Sequence, residues 1–350
     1  MKKRIALLLA ILMLASVAVA CASTTEPEAS PTVAPEQTQA VTPTEAPAAA
    51  DPSTWKVAVL IPGSATDGGF CQLGAEAGKA LEAKYGCKVS VIEAATSDLM
   101  KSEAESLAEE GYNIIYGHGG QYAAPFAEIS PNYPDTFFPT LGGEVVTANQ
   151  FPVNITLEQA TYVGGVIAGM ITKTNKIGMV VGGDFPAYTK TTRAMELGAK
   201  SVNPDIEAMF AVLTNTDMNE AYETTMNQIQ SGADVIFSNA NQGTLGSLKA
   251  AGEKNVMTLG ALTDYTSEYG NIIFASAMCD YNAAYVAAFE RCVAGITEPS
   301  ILFTGISDGT VTFLWNDAVK ATLPAEVVQA AEDAIAKIKS GEIKVPNEYE

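Results

Sequence analysis

The 350-residue chain predicts an α/β fold of two doubly wound parallel-sheet lobes joined by a hinge, with a cleft between them. Three observations predict it. From Trp55 onward, short and wholly apolar runs alternate with helical stretches; a strand apolar on both faces belongs in a parallel sheet covered on both sides. At least nine such runs occur over about 300 residues, which suits two open sheets better than one. The alternation also restarts after Phe151-Pro152-Val153-Asn154 with a capped helix. A closed (β/α)8 barrel is the structural rival.

In chain order, a strand at 57–61 feeds the glycine-rich turn that ends in Asp67-Gly68-Gly69-Phe70, and a helix follows at 71–85. Strands at 89–92, 114–116 and 137–141 come next, with a helix at 102–110. Thr156-Leu157-Glu158-Gln159 has the spacing of a capping box and opens a helix at 157–172. The second set places strands at 177–181, 208–213, 235–238, 256–259 and 272–275 among helices at 188–202, 218–231 and 282–294. Asp217-Met218-Asn219-Glu220 repeats the capping pattern, and Gly232 falls where a helix C-terminal glycine is expected. Trp315 is expected to pack within a late strand. The lobes are assigned as residues 55–154 with about 266–302, and 155–265 with about 303–350.

The amino-terminal end points to export. Met1-Lys2-Lys3-Arg4 is cationic, and the run from Ile5 to Ala20 is apolar apart from Ser16. That order, closed by small residues, is that of a signal peptide over 1–20. Ala18-Val19-Ala20-Cys21 resembles a bacterial lipobox, which implies a lipidated Cys21. Residues 21–54 read as a disordered tether, because a Pro-, Thr- and Ala-rich stretch with no aromatic residue before Trp55 cannot bury enough surface to offset chain entropy.

Composition excludes several classes. Lys and Arg total 20 against 40 Asp and Glu, a net charge of -20, which argues against nucleic acid and against an electrostatic grip on anionic lipid. The single histidine, His118, and the absence of a CxxC spacing argue against a zinc cluster. Cys71, Cys87, Cys279 and Cys292 allow two disulfides in three connectivities, although a domain this large does not need them. Gly305-Ile306-Ser307-Asp308-Gly309 fits a hydrolase G-x-S-x-G pattern, but no histidine follows it to serve as base. Neither an HExxH motif nor a Walker lysine loop is present. No catalytic residue, metal or cofactor is expected.

In open parallel sheets ligands bind beyond the carboxyl ends of the strands. The loops expected there, at 63–70, 117–121, 142–144, 182–185, 239–243 and 262–264, are rich in Gly, Asn, Asp and Gln. The first loop lacks the Gly-Lys-Ser/Thr ending of a phosphate cradle, and Asp67 would repel phosphate. An aromatic and an acid suit an uncharged ligand with hydrogen-bond donors. Phe70 is expected to face the cleft and Asp67 to cap the following helix, contact ligand, or both. His118 lies between glycines at a strand end, and Asn239, Asn241 and Gln242 cluster at another.

The order of these segments resembles the basic membrane protein family, the purine-nucleoside-receptor-like lipoproteins. The likeness spans Lys56 to about Val311. It is carried by Asp67-Gly-Gly-Phe-Cys-Gln72, Gly117-His-Gly-Gly120, Tyr133-Pro-Asp-Thr-Phe-Phe138, Tyr162-Val-Gly-Gly-Val-Ile-Ala-Gly169, Lys176-Ile-Gly-Met-Val-Val-Gly-Gly183, Gly198-Ala-Lys-Ser-Val-Asn-Pro204 and Gly232-Ala-Asp-Val-Ile-Phe237. The resemblance implies a type I periplasmic-binding-protein fold and a nucleoside held between the lobes. It carries Asp67, Phe70 and Asp264 over as ligand contacts. Four positions depart from the family pattern: Cys71 replaces an asparagine, Asn215 a second stacking aromatic, Leu262 an aspartate and Cys279 a lysine.

The expectation is a monomeric, lipid-anchored receptor on the extracytoplasmic face of the cell membrane. It captures a small solute, a purine nucleoside or nucleobase, for an ABC permease and its ATPase, and touches the membrane only through its lipid. The ligand-contact set is Asp67, Phe70, Cys71, His118, Asn239, Gln242 and Asp264. A ligand-sensing surface lipoprotein, or a receptor for another polar solute such as a sugar, is the alternative.

Overall fold

The computed structural model describes residues 51–66, 70–184 and 186–347. The signal segment, Cys21, the tether up to residue 50 and Asp67 lie outside the described residues. The described residues begin slightly before the expected end of the tether. The Asp51 carboxylate accepts the Ser53 N–H and starts a 3-10 turn at Pro52–Thr54.

The first run of elements is β1 (Lys56–Ile61), α1 (Phe70–Tyr85), β2 (Lys88–Glu93), α2 (Ser97–Glu109), β3 (Ile114–Gly117), α3 (Ala123–Ile129), β4 (Phe138–Leu141) and β5 (Gln150–Ile155). The second opens with α4 (Glu158–Ile171), β6 (Lys176–Val181), α5 (Pro186–Val202), β7 (Glu207–Val212) and α6 (Met218–Gln230). It continues through β8 (Val235–Asn239), α7 (Gly243–Lys254), β9 (Met257–Ala261), α8 (Thr266–Tyr269) and β10 (Ile273–Cys279). The chain closes with α9 (Tyr281–Val293), β11 (Leu302–Thr304), β12 (Val311–Trp315), α10 (Asp317–Lys320) and α11 (Ala325–Ser340).

The strands form two open six-stranded sheets, ordered β11-β5-β4-β3-β1-β2 and β12-β10-β9-β8-β6-β7, so the barrel is excluded. Pairing is parallel throughout the first sheet. In the second it is parallel except where β12 runs against β10. Each sheet contains the 2-1-3-4-5 order of a doubly wound unit, whose crevice opens where the winding direction reverses. Helices cover both faces. One core under the first sheet joins Val57, Val59 and Tyr116 to Leu81 of α1 and Phe289 of α9. Another joins Ala58 and Leu60 to Leu107 of α2 and Phe126 of α3. The second sheet buries Phe237 and Leu259 against α4, α5 and α11.

The chain passes between the sheets three times: between β5 and α4, between β10 and α9, and between β11 and β12. The expected lobe boundary near 266 is corrected here. β10 pairs with β9, matching Ser276 to Gly260 and Ala277 to Ala261, so 266–279 belongs with the second sheet and the crossing comes at Asp280. The capping box at Thr156 is also corrected. The Thr156 hydroxyl donates to the Thr304 carbonyl (2.7 Å) and Gln159 Oε1 accepts the Ile306 N–H (2.8 Å). Both side chains therefore tie one crossing to another. Asp217 does cap α6, accepting the N–H groups of Asn219 and Glu220.

Candidate functional site

The carboxyl ends of both sheets, together with the crossings, enclose a cleft of about 740 Å3. That lies within the range usual for small-molecule sites. The first sheet contributes Phe70 at the start of α1, Gln121 after β3, and the stretches at 141–144 and 153–155. The second contributes Glu158 at the start of α4, the segment at 186–191, Asn239, Asn241, Leu262 and Cys279. Tyr281 and Phe303 come from the segments that return to the first sheet.

Phe70 is 41% exposed, a large exposed fraction for an aromatic ring in a cleft. A built support lies beneath it. The ring stacks on the imidazole of His118, with centroids 4.0 Å apart and planes 26° from parallel. Tyr281 packs nearly perpendicular to it, with ring centroids 6.0 Å apart. His118 is fully buried, with Nε2 at 2.6 Å from the Phe70 carbonyl and Nδ1 at 2.9 Å from the Tyr285 hydroxyl. A carbonyl only accepts, so Nε2 carries a proton, and Nδ1 shares its hydrogen bond with the Tyr285 hydroxyl. Tyr285 in turn stacks on Tyr116, whose hydroxyl donates to the Tyr285 carbonyl. Phe70 is thus the cleft end of an aromatic pillar rooted in the core.

Glu158 was not among the expected contacts. It begins α4, lines the cleft and is only 6% exposed. Burial pushes its carboxyl up to about 7, against the opposing pull of its own backbone N–H and of Lys190. Cys279, which lines the cleft as well, has its thiol pushed up to about 12 by burial and by the charge of Glu158. It is therefore a protonated thiol rather than a nucleophile. Burial also raises the Tyr281 hydroxyl. The charged residues of the lining are Glu144, Glu158 and Lys190, a balance that does not favour anionic ligands.

The expected contacts separate into two groups. Phe70 and Asn239 line the cleft, and Asn239 donates to the Thr191 hydroxyl, tying β8 to α5. Cys71, His118, Gln242 and Asp264 do not line it. Cys71 turns one residue past Phe70 into the core. His118 supports Phe70 from below. Gln242 precedes α7 while its neighbour Asn241, with a φ of 47°, takes the lining position. Asp264 accepts the Thr266 N–H at the start of α8, and Leu262, with a φ of 63°, stands in the cleft instead. Asp67 lies outside the described residues. Among the described residues Cys87, Cys279 and Cys292 are free thiols. No group of three metal-ligating side chains occurs among the described residues.

Gly305–Gly309 is a turn in the third crossing. Asp308 accepts the N–H groups of Gly305 and Thr310, and Ser307 is exposed.

Several known proteins are similar to this chain. Transcriptional activator protein med of Bacillus subtilis is 24% identical over 82% of the chain and 90% of its own length. A putative ABC transporter glucose-binding protein, TsgA13 of Haloferax volcanii, is 29% identical over 59% of the chain and 52% of its own. Purine-binding protein BAB2_0673 of Brucella abortus is 22% identical over 68% and 66%. An ABC transporter solute-binding protein structure from Conexibacter woesei superposes with a TM-score of 0.67 at 22% identity, over 85% of this chain and all of that one. Residues 54–349 match the family described as ABC transporter substrate-binding protein PnrA-like. That stretch is nearly all of the chain from residue 51 onward. Two doubly wound sheets meeting at a cleft suit a substrate-binding subunit, and the chain belongs to the PnrA-like family of ABC transporter substrate-binding proteins, which are not enzymes.

Proposed function

We propose that the protein is a lipid-anchored receptor that captures a neutral, flat, hydrogen-bonding solute, a purine nucleoside or nucleobase, between its two lobes and presents it to an ABC permease. The observation that supports this most is the exposed Phe70 ring on its buried His118 support, facing polar groups supplied by the other sheet. A flat ligand on Phe70 that also reaches Glu158 or Asn239 touches both lobes. Such a ligand favours the closed arrangement only through the contacts that closure adds. The three crossings, the first tied to the third through Thr156 and Gln159, serve as the hinge.

The purine-binding relative in Brucella supports a purine ligand. The glucose-binding relative favours a second reading, a hexose, whose apolar face also stacks on an aromatic ring. The relative named a transcriptional activator points towards sensing, but a net charge of -20 weighs against direct contact with DNA. Cys21 supplies the anchor in this reading, and the tether lets the receptor reach the permease.

A thermal-shift screen with adenosine, inosine, adenine, guanine and glucose tests the reading, since a ligand at 100 times its Kd stabilises by about 2.7 kcal/mol. Stabilisation by purines alone supports the first reading, and stabilisation by glucose alone supports the second. A flat response throughout would discard both.

A further inference from the structure

We propose that Glu158 is the polar anchor of the bound solute, its carboxylate receiving an N–H or O–H of a neutral ligand whose face lies against Phe70. This deepens the receptor reading and rests on it. Glu158 lines the cleft while being more than nine-tenths buried. Among the described residues, its own backbone N–H is the one hydrogen-bond donor to its carboxyl. Lys190 acts on it through charge, yet the two form no ion pair within 4 Å among the described residues. Cys279 beside it offers at best a thiol, a weak donor.

Burial penalises the charged form of this carboxyl, and the local donors offset little of that cost. Glu158 opens α4, but the side chains that secure this crossing are Thr156 and Gln159, through Thr304 and Ile306. A donor group on the solute would complete the carboxylate.

The two anchors stand on opposite lobes: Phe70 begins α1 on the first sheet, and Glu158 begins α4 on the second. A solute that satisfies both can do so only by bridging them, so Glu158 converts binding into closure. The donor edge of a nitrogen heterocycle and the hydroxyls of a hexose share the required chemistry.

The test titrates the purified full chain, and its Glu158→Gln variant, with adenosine, adenine and glucose, and follows compaction by small-angle X-ray scattering. The amide keeps the size of the side chain and turns one acceptor into a donor. Whichever probe binds the parent should bind Glu158→Gln about 10- to 100-fold more weakly, and the variant saturated with that probe should compact less. Adenosine or adenine as the affected probe identifies a heterocycle N–H, and glucose a sugar hydroxyl. Affinity within threefold of the parent, with full compaction, overturns the anchor and leaves the receptor reading standing. A variant that is less stable than the parent without any probe shows that the carboxyl holds the fold, which also overturns it. Failure of all three probes to bind the parent sinks the receptor reading for these solutes and the anchor with it.

Discussion

Phe70 lies on the imidazole of His118, and the imidazole is held at both nitrogens, so the ring's position is set before any solute arrives. Gly74, one turn along α1, makes room for this arrangement: a β-carbon there would sit 2.6 Å from the His118 ring. Phe70→Ala should weaken an aromatic solute by about 1–3 kcal/mol, the range for a base stacked on an aromatic ring; isothermal titration checks it, and unchanged affinity would assign the ring to packing alone. Gly74→Ala should weaken the same solute by tilting the support without touching the cleft. Its stability cost should be roughly 1–3 kcal/mol, as for other overpacked sites, measured by denaturant unfolding. Glu158 carries the pH dependence. Its carboxyl sits at about 7 in the fold against 4.5 for an ordinary glutamate, so between those values the folded state holds more proton than the unfolded chain. Stability therefore falls as pH rises through this window, by about 3 kcal/mol in full. Glu158→Gln should remove that slope, so the variant gains on the parent by about that amount between pH 4.5 and 8, read from denaturation midpoints without ligand. A parallel pH profile for the two proteins would contradict it.

At the scale of elements, α4 and α5 explain why the stretch from Tyr162 to Gly169 is rich in small residues. A β-carbon at Gly165 would lie 2.8 Å from the Met195 carbonyl carbon and 2.9 Å from the Ala199 nitrogen. At Gly169 it would meet the Ala199 oxygen at 2.6 Å. The helix backbones touch, and backbone cannot step aside as a side chain can. Gly165→Ala gains up to about 1 kcal/mol of helix propensity but should still lose roughly 1–3 kcal/mol net from overpacking, measured by urea unfolding. A stabilised variant would show that the helices tolerate separation. Elements with strong local patterns were legible in the sequence: β1, β6 and β8 from their largely apolar runs, and α6 from its Asp217 cap. Others were hidden for identifiable reasons. β5 contains Pro152, which reads as a break. The three residues of β11 are too short to show a period. α7 contains Gly243, Gly246 and Gly252, which mask its helical pattern. β10 runs four residues past its expected end because pairing with β9 and β12 extends it.

At the scale of the whole molecule, the proposed receptor role requires the three crossings beside the cleft to couple binding to shape. A saturating ligand should reduce the radius of gyration measured by small-angle X-ray scattering, and Phe70→Ala and Glu158→Gln, from opposite lobes, should each reduce that response. Ligand binding with no change in scattering would mean a cleft that does not close. The sequence by itself determined the α/β class, the two sheets, the aromatic at the first loop and the exclusion of familiar catalytic motifs, because alternation, caps and apolar runs are local properties. Tertiary structure alone decided that Asn241 and Leu262, not Gln242 and Asp264, reach the cleft, that His118 supports rather than contacts, and that Glu158 and Tyr281 join Phe70 there. The physical reason is that side-chain direction in a loop depends on single backbone angles, and proximity between residues such as 70, 158 and 281 depends on how distant crossings fold back. Neither leaves a periodic trace in the chain.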